Sequence, residues 1–180
     1  GTTTDSNSAV FVTGISSGAT QLEMSNNHRC ALVNGGVKCW GIGDSLGDGV
    51  GTTRTTAGDV SGLTSGVVKI WGSGIQNSNY RRTVALTSSG ALKAWGLNAN
   101  GTLGDGTTTT RTSPVTPTGL SSGVLDYAMG TAHGCALVRV GTTDAGVKCW
   151  GYNVSGAVGN GTVTDALAPA DVTGLTSGVS

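Results

Sequence analysis

Trp-Gly stands at Trp40-Gly41, Trp95-Gly96 and Trp150-Gly151, so the same dipeptide returns twice at an interval of 55 residues. A fixed period of this size marks a chain assembled from copies of one supersecondary unit, and it restricts the fold to repeat architectures. Two further markers keep the same order. One is Gly14-Ile15-Ser16-Ser17-Gly18, which returns as Gly62-Leu63-Thr64-Ser65-Gly66, Gly119-Leu120-Ser121-Ser122-Gly123 and Gly174-Leu175-Thr176-Ser177-Gly178. The other follows each Trp-Gly, as Leu46-Gly47-Asp48-Gly49, Leu103-Gly104-Asp105-Gly106 and Val158-Gly159-Asn160-Gly161. The 180 residues therefore divide into repeat 1 at about 14–61, repeat 2 at about 62–118 and repeat 3 at about 119–173 of one repeat domain. Residues 1–13 and 174–180 are expected to be edge strands shared with neighbouring blades or subunits.

Each period reads as four short strands. One follows the Ser-Gly marker (Val67 to Trp71; Val124 to Met129), two flank a hairpin (Ala31 to Val33 with Val37 to Trp40), and one precedes the next Gly-Leu (Val115 to Thr118; Ala170 to Thr173). With 32 glycines, 3 prolines and much Thr, Ser and Val, the composition suits strands and tight turns rather than long helices. The fold class is all-β, with three tandem four-stranded blades of propeller type. A blade buries two faces only when it has neighbours on both sides, so the array is either open or part of a larger propeller.

The run His28-Arg29-Cys30-Ala31-Leu32, Gly36-Val37-Lys38-Cys39-Trp40-Gly41, Leu46-Gly47-Asp48-Gly49 and Arg54 resembles the regulator of chromosome condensation repeat. The same order returns at His133-Gly134-Cys135-Ala136-Leu137 and Gly146-Val147-Lys148-Cys149-Trp150-Gly151. The resemblance implies a β-propeller, normally of seven blades. It implies no single function, because relatives include a nuclear nucleotide-exchange factor, a plant light sensor and secreted bacterial inhibitors of other proteins.

The four cysteines fall as Cys30 and Cys39 in repeat 1 and Cys135 and Cys149 in repeat 3. In repeat 2 the matching positions hold Val84 and Ala94, so both partners are replaced together, as a bonded pair requires. Asn34-Gly35 is a type I′ turn signal that sets Val33 opposite Gly36 and hence Cys30 opposite Cys39, at a non-hydrogen-bonded site close enough for a disulfide. Ser88-Ser89-Gly90 fits a three-residue turn that sets Val84 opposite Ala94. Two intra-repeat disulfides imply an oxidising compartment, and so an extracellular or cell-surface protein whose secretion signal has been removed. The competing reading is four buried free thiols in a cytosolic protein. A zinc site fits less well, because neither pair has close Cys-x-x-Cys spacing and only His28 and His133 could assist.

No constellation reads as an active site, and no cofactor or metal is expected. His28 and His133 share a repeat position that holds Arg82 in the middle copy, which favours packing or hydrogen bonding over catalysis. Asp48, Asp105 and Asn160 share another, between glycines, where a short polar side chain steadies a turn; calcium binding is the alternative, without the spaced carboxylates it needs. Asp44 with Asp48 is the one local pair of acids. The glycine-rich runs lack a P-loop lysine and the strand-to-helix setting that holds phosphate. Trp40, Trp95 and Trp150 read as core anchors, whereas Trp71 stands off that register near Tyr80, Arg81 and Arg82 and forms the candidate contact group. Asn100, Asn153 and Asn160 open acceptor patterns for N-glycosylation.

Ten basic and ten acidic residues give zero formal net charge, which argues against a nucleic-acid partner. No apolar run is long enough to span a bilayer as a helix, so membrane insertion is not expected. The Val10 to Gly18 run repeats Ala170 to Gly178, so the sequence opens and closes at one phase of the repeat. The expected function is a non-catalytic extracellular structural protein that self-associates head to tail as a ring or filament subunit. The rival is a secreted protein-binding module, an inhibitor-like propeller fragment whose loops grip another protein.

Overall fold

The structure, a computed structural model, describes residues 1–25, 27–72 and 80–179. Among the described residues, twelve strands form three antiparallel four-stranded sheets. Blade 1 contains β1 (Ala19–Met24), β2 (His28–Val33), β3 (Gly36–Gly41) and β4 (Arg54–Asp59). Blade 2 contains β5 (Val67–Gly72), β6 (Arg82–Thr87), β7 (Leu92–Gly96) and β8 (Arg111–Val115). Blade 3 contains β9 (Val124–Met129), β10 (His133–Val140), β11 (Asp144–Gly151) and β12 (Ala166–Asp171). Within each sheet the strands lie in chain order, the meander expected of a propeller blade.

The hairpins follow their turn residues. Asn34 and Gly35 both take positive φ, 51° and 77°, the type I′ geometry whose twist matches the flanking strands. Val33 then faces Gly36, and Cys30 faces Cys39. In blade 2 the Thr87 N–H donates to the Ala91 carbonyl across 88–90, with Gly90 at φ 77°, and Val84 faces Ala94. The longer turn of blade 3 keeps the register, so Cys135 faces Cys149.

The fourth strands lie earlier than the apolar pattern suggests, at 111–115 and 166–171 instead of Val115 to Thr118 and Ala170 to Thr173. Pro117 has no N–H for a ladder, and the chain leaves the sheet there to fold over its own blade. In blade 1 the same stretch shows the purpose. Val60 N–H donates to the Val37 carbonyl, Ser61 N–H to the Gly47 carbonyl, and the Val60 side chain is fully buried.

Two cores result, one at each blade junction. The first joins Cys30, Leu32, Val37 and Cys39 of blade 1, through Leu46, Val60 and Leu63, to Ile70, Ala85 and Trp95 of blade 2. The second joins Val84, Leu86, Leu92 and Ala94 of blade 2, through Leu103 and Leu120, to Tyr127, Ala136 and Trp150 of blade 3. The cysteine side of each hairpin thus faces the next blade, and the tryptophan side faces the preceding one.

Residues 1–18 contain no strand. They run against blade 1, where the Thr13 carbonyl accepts from Ala57 N–H and Gly18 carbonyl from Asn34 N–H. At the other end, Val147 N–H donates to the Leu175 carbonyl, and Val179 bridges Ala145.

Candidate functional site

The recurring side chains define how one blade grips the next. Trp95 is fully buried and its Nε1 donates to the Ser45 carbonyl of blade 1 at 3.1 Å; Trp150, also fully buried, donates to the Thr102 carbonyl of blade 2 at 3.1 Å. Gly47 and Gly104 lie directly under these indoles, and a Cβ on either would sit 2.8 Å from the tryptophan nitrogen. A second backbone bond accompanies each, Gly49 N–H to the Thr112 carbonyl and Gly106 N–H to the Leu167 carbonyl, both 2.9 Å.

The shared position of His28, Arg82 and His133 serves the same purpose where a next blade is present. His28 Nε2 lies 2.8 Å from Thr83 Oγ1 of blade 2, and its Nδ1 lies 2.6 Å from Ser25 Oγ. Burial pushes its pKa down to about 4, helped by the nearby Arg29 and Arg81 charges and opposed by Asp44, so the ring is neutral at neutral pH. Arg82 donates to the carbonyls of Gly130, Thr131 and His133 in blade 3, at 2.7 to 3.0 Å. His133 is half-buried on the outermost blade.

The candidate contact group does not form an open patch. Arg82 is fully buried, because three carbonyls at the turn of blade 3 need donors and a guanidinium can supply them together. Trp71 packs edge-on against Tyr127, with ring centroids 5.3 Å apart, and Lys69 Nζ lies 5.0 Å from its ring. Arg81 pairs with Asp44 at 2.8 Å, and Tyr80 hydroxyl donates to Asn100 Oδ1 at 3.3 Å. All four residues tie elements of the array together.

The acids of the Gly-Asp-Gly loops do turn chemistry. Asp48 Oδ1 accepts from Val50 and Gly51 N–H, and Oδ2 faces Arg54 at 3.3 Å. Desolvation raises its pKa, but those hydrogen bonds and Arg54 outweigh it and hold the carboxyl below its ordinary value. Asp105 is likewise desolvated, yet bonds from Thr107, Arg111 and Asn98 bring it below the usual range. Asn160 Oδ1 accepts from Thr162 N–H and hydroxyl.

Two residues complete these loops: Asn98, which the sequence did not single out, and Asn153, which it marked only as a glycosylation acceptor. Asn98 and Asn153, in the pattern Trp-Gly-x-Asn, are fully buried. Asn98 Oδ1 accepts from Leu103 N–H and Asn153 Oδ1 from Val158 N–H, while their Nδ2 atoms donate to loop carbonyls at Thr107 and at Thr162 and Thr164. Asn153 therefore offers no accessible amide for glycosylation in the folded chain, whereas Asn100 and Asn160 are half-buried.

The cysteine pairs lie at bonding distance in both hairpins, with Cα atoms 4.1 Å apart. Cys30 and Cys39 are enclosed between blades 1 and 2. Cys135, Leu137 and Val147, on the outer face of blade 3, are only half-buried and border an open depression. At the opposite end, the half-buried Trp40 lines a groove of about 470 Å³ with Leu22, Ala31, Val12 and Ile15. Leu22 is 57% exposed, although its counterparts Ile70 and Tyr127 are 0% and 3% exposed at the inner junctions.

Comparison with known proteins agrees with this architecture. Residues 89–137 match the regulator of chromosome condensation (RCC1) repeat, across the end of blade 2 and the start of blade 3. Human WBSCR16 superposes with a TM-score of 0.65 at 23% identity over 86% of this chain and 39% of its own. Yeast RCC1 (Prp20), solved bound to Kap60, gives 0.66 at 22% identity over 85% and 35%. A second structure of Prp20p from Saccharomyces cerevisiae, described with its binding to Gsp1p and histones, gives 0.64 at 17% over 87% and 38%. The chain thus spans less than two-fifths of the length of these proteins, and at such identities the likeness establishes the RCC1-type propeller fold.

Proposed function

Taking as the premise three RCC1-type blades whose two outer faces have no blade against them among the described residues, we propose that this chain is a non-catalytic, extracellular or cell-surface repeat protein that associates head to tail with further copies, as the subunit of a ring or filament. The observation that carries this reading is the pair of end faces. The chain contains two finished blade junctions, and its outer faces present the two halves of a third. Exposed Leu22 and half-buried Trp40 stand on one face, and Leu137, Val147 and Cys135 on the other. A contact between unlike faces is heterologous, and it closes into a ring or continues as a filament according to the rotation per step. The paired cysteines support an oxidising compartment, since such pairs do not persist in a reducing cytosol.

A second reading is a module whose loops hold another protein. It is favoured by Val50, Val154 and Val163, which project from the loops at 60–70% exposure. Light scattering and negative-stain electron microscopy of the non-reduced chain separate the two. Rings or filaments whose mass grows with concentration are expected; a monodisperse particle of 17.7 kDa at all concentrations removes the self-association reading and leaves the loops.

A further inference from the structure

The inner junctions specify how an outer junction must be built. Each uses an indole over a glycine, an Nε1–H to the carbonyl two residues before that glycine, and a loop N–H to a carbonyl of the next blade's fourth strand. Blade 3 carries the acceptor half at the same repeat positions: Gly159, the Ala157 carbonyl and the Gly161 N–H. Ala157 is exposed where Ser45 and Thr102 are fully buried. The three atoms nearest a Cβ on Gly159 all belong to Val172, the first at 3.0 Å, whereas at Gly47 and Gly104 the nearest include an indole. Blade 1 carries the donor half in Trp40 and the exposed Thr55.

We propose that the Trp40 face of blade 1 binds blade 3 of a second copy, with the Trp40 indole over Gly159, its Nε1–H on the Ala157 carbonyl, and Gly161 N–H on the Thr55 carbonyl. This rests on the self-association proposed above and fixes its register and partner. The groove over Trp40 is already partly filled by Val12 and Ile15, which repeat Val60 with Leu63 and Val172 with Leu175. All three pairs make the same turn, the later N–H donating to the earlier carbonyl at 3.0 to 3.1 Å. The N-terminal segment is therefore a placeholder for the tail of the neighbouring copy, and docking displaces residues 10–15 while Val172 and Leu175 take their place.

The test uses the full, non-reduced chain and three single variants. Positive φ at Gly159, Gly104 and Gly47, all 72°, is tolerated by asparagine better than by other side chains. Gly159→Asn places its side chain in the indole space of the outer junction alone. It is expected to keep the wild-type melting temperature within about 3 °C and to weaken assembly at least about tenfold, a loss typical of a central interface contact. Gly104→Asn meets Trp150 inside the chain and is expected to lower the melting temperature. Trp40→Ala removes the donor side and is expected to reproduce the assembly loss, with the blue shift of tryptophan emission on assembly reduced. Wild-type assembly with both Gly159→Asn and Trp40→Ala assembling equally well overturns this register and leaves self-association standing. A wild-type chain that stays monomeric overturns both.

Discussion

The two cysteine hairpins have nearly the same sequence and opposite surroundings. Cys30 and Cys39 lie in a closed core against blade 2, at 1% and 0% exposure, whereas Cys135 borders open space on the outer face of blade 3. Between them, Val84 and Ala94 hold the same places without sulfur, and are as buried as the first pair. The difference lies in the neighbour. In a stacked array each blade supplies half of a core, and whether a side chain is interior depends on what stands beside its blade. Trp95 and Trp150 show the same rule against Trp40, which has equivalent strand geometry and, among the described residues, no blade packed over it.

The largest effect expected from this contrast comes from removing the anchors one at a time. Trp150→Ala empties the middle of the second core and leaves the Thr102 carbonyl without its donor, and should cost about 3–5 kcal/mol in chemical denaturation. Trp40→Ala should cost about 1 kcal/mol, because that side chain is half-buried and lines an open groove instead of a closed core. Equal losses would mean that the N-terminal segment, and not a neighbouring blade, completes the core over Trp40.

A pH titration sharpens the comparison next, through His28 at the first junction. Its folded pKa of about 4 lies below the ordinary 6.5, so the unfolded chain binds the proton first as the solution is acidified. Stability is therefore flat above about pH 6.5, falls as pH drops toward 4, and from this group changes no further below that. The span of 6.5 to 4 corresponds to a loss on the order of 3 kcal/mol. His28→Gln, which keeps a donor and an acceptor, should remove most of that slope while other groups leave their own. Urea midpoints at pH 7, 5.5 and 4.5 read it, and an unchanged slope in the variant would assign the acid sensitivity elsewhere.

The repeat, the hairpins and the cysteine register were legible because they are local: a two-residue turn at Asn34-Gly35 sets every pairing between β2 and β3 without reference to the rest of the chain. The roles of Arg82, Asn98 and Asn153 were not. A buried arginine is indistinguishable in sequence from a surface one until the carbonyls of Gly130, Thr131 and His133 are brought to it from another blade. Asn153 read as a glycosylation acceptor because the pattern that follows it is common in threonine-rich sequence, while the Trp-Gly-x-Asn phase that marks it as a loop anchor appears in only two copies, with Gly43 in the first. Val172 looked like a strand residue for being apolar; its counterpart Val60 is apolar because it seals a junction.

The smallest effect completes the set and concerns the blade without sulfur. Val84 and Ala94 are paired across β6 and β7 as Cys30 and Cys39 are across β2 and β3, so Val84→Cys with Ala94→Cys should form a third bond of the same kind. Closing so short a loop removes chain entropy from the unfolded state and is expected to add about 1–3 kcal/mol, less whatever the second core loses with the valine methyls. The comparison with its neighbours then becomes kinetic. Under limiting phosphine, Cys135–Cys149 on the outer face should open first, since exchange needs access to sulfur, while Cys30–Cys39 and the new bond, each covered by the next blade, should persist together. Mass spectrometry after alkylation reads the order. If the new bond opened with the outer one, the junction between blades 2 and 3 would be the looser of the two, and protection at blade 1 would have to come from its own hairpin instead of from its neighbour.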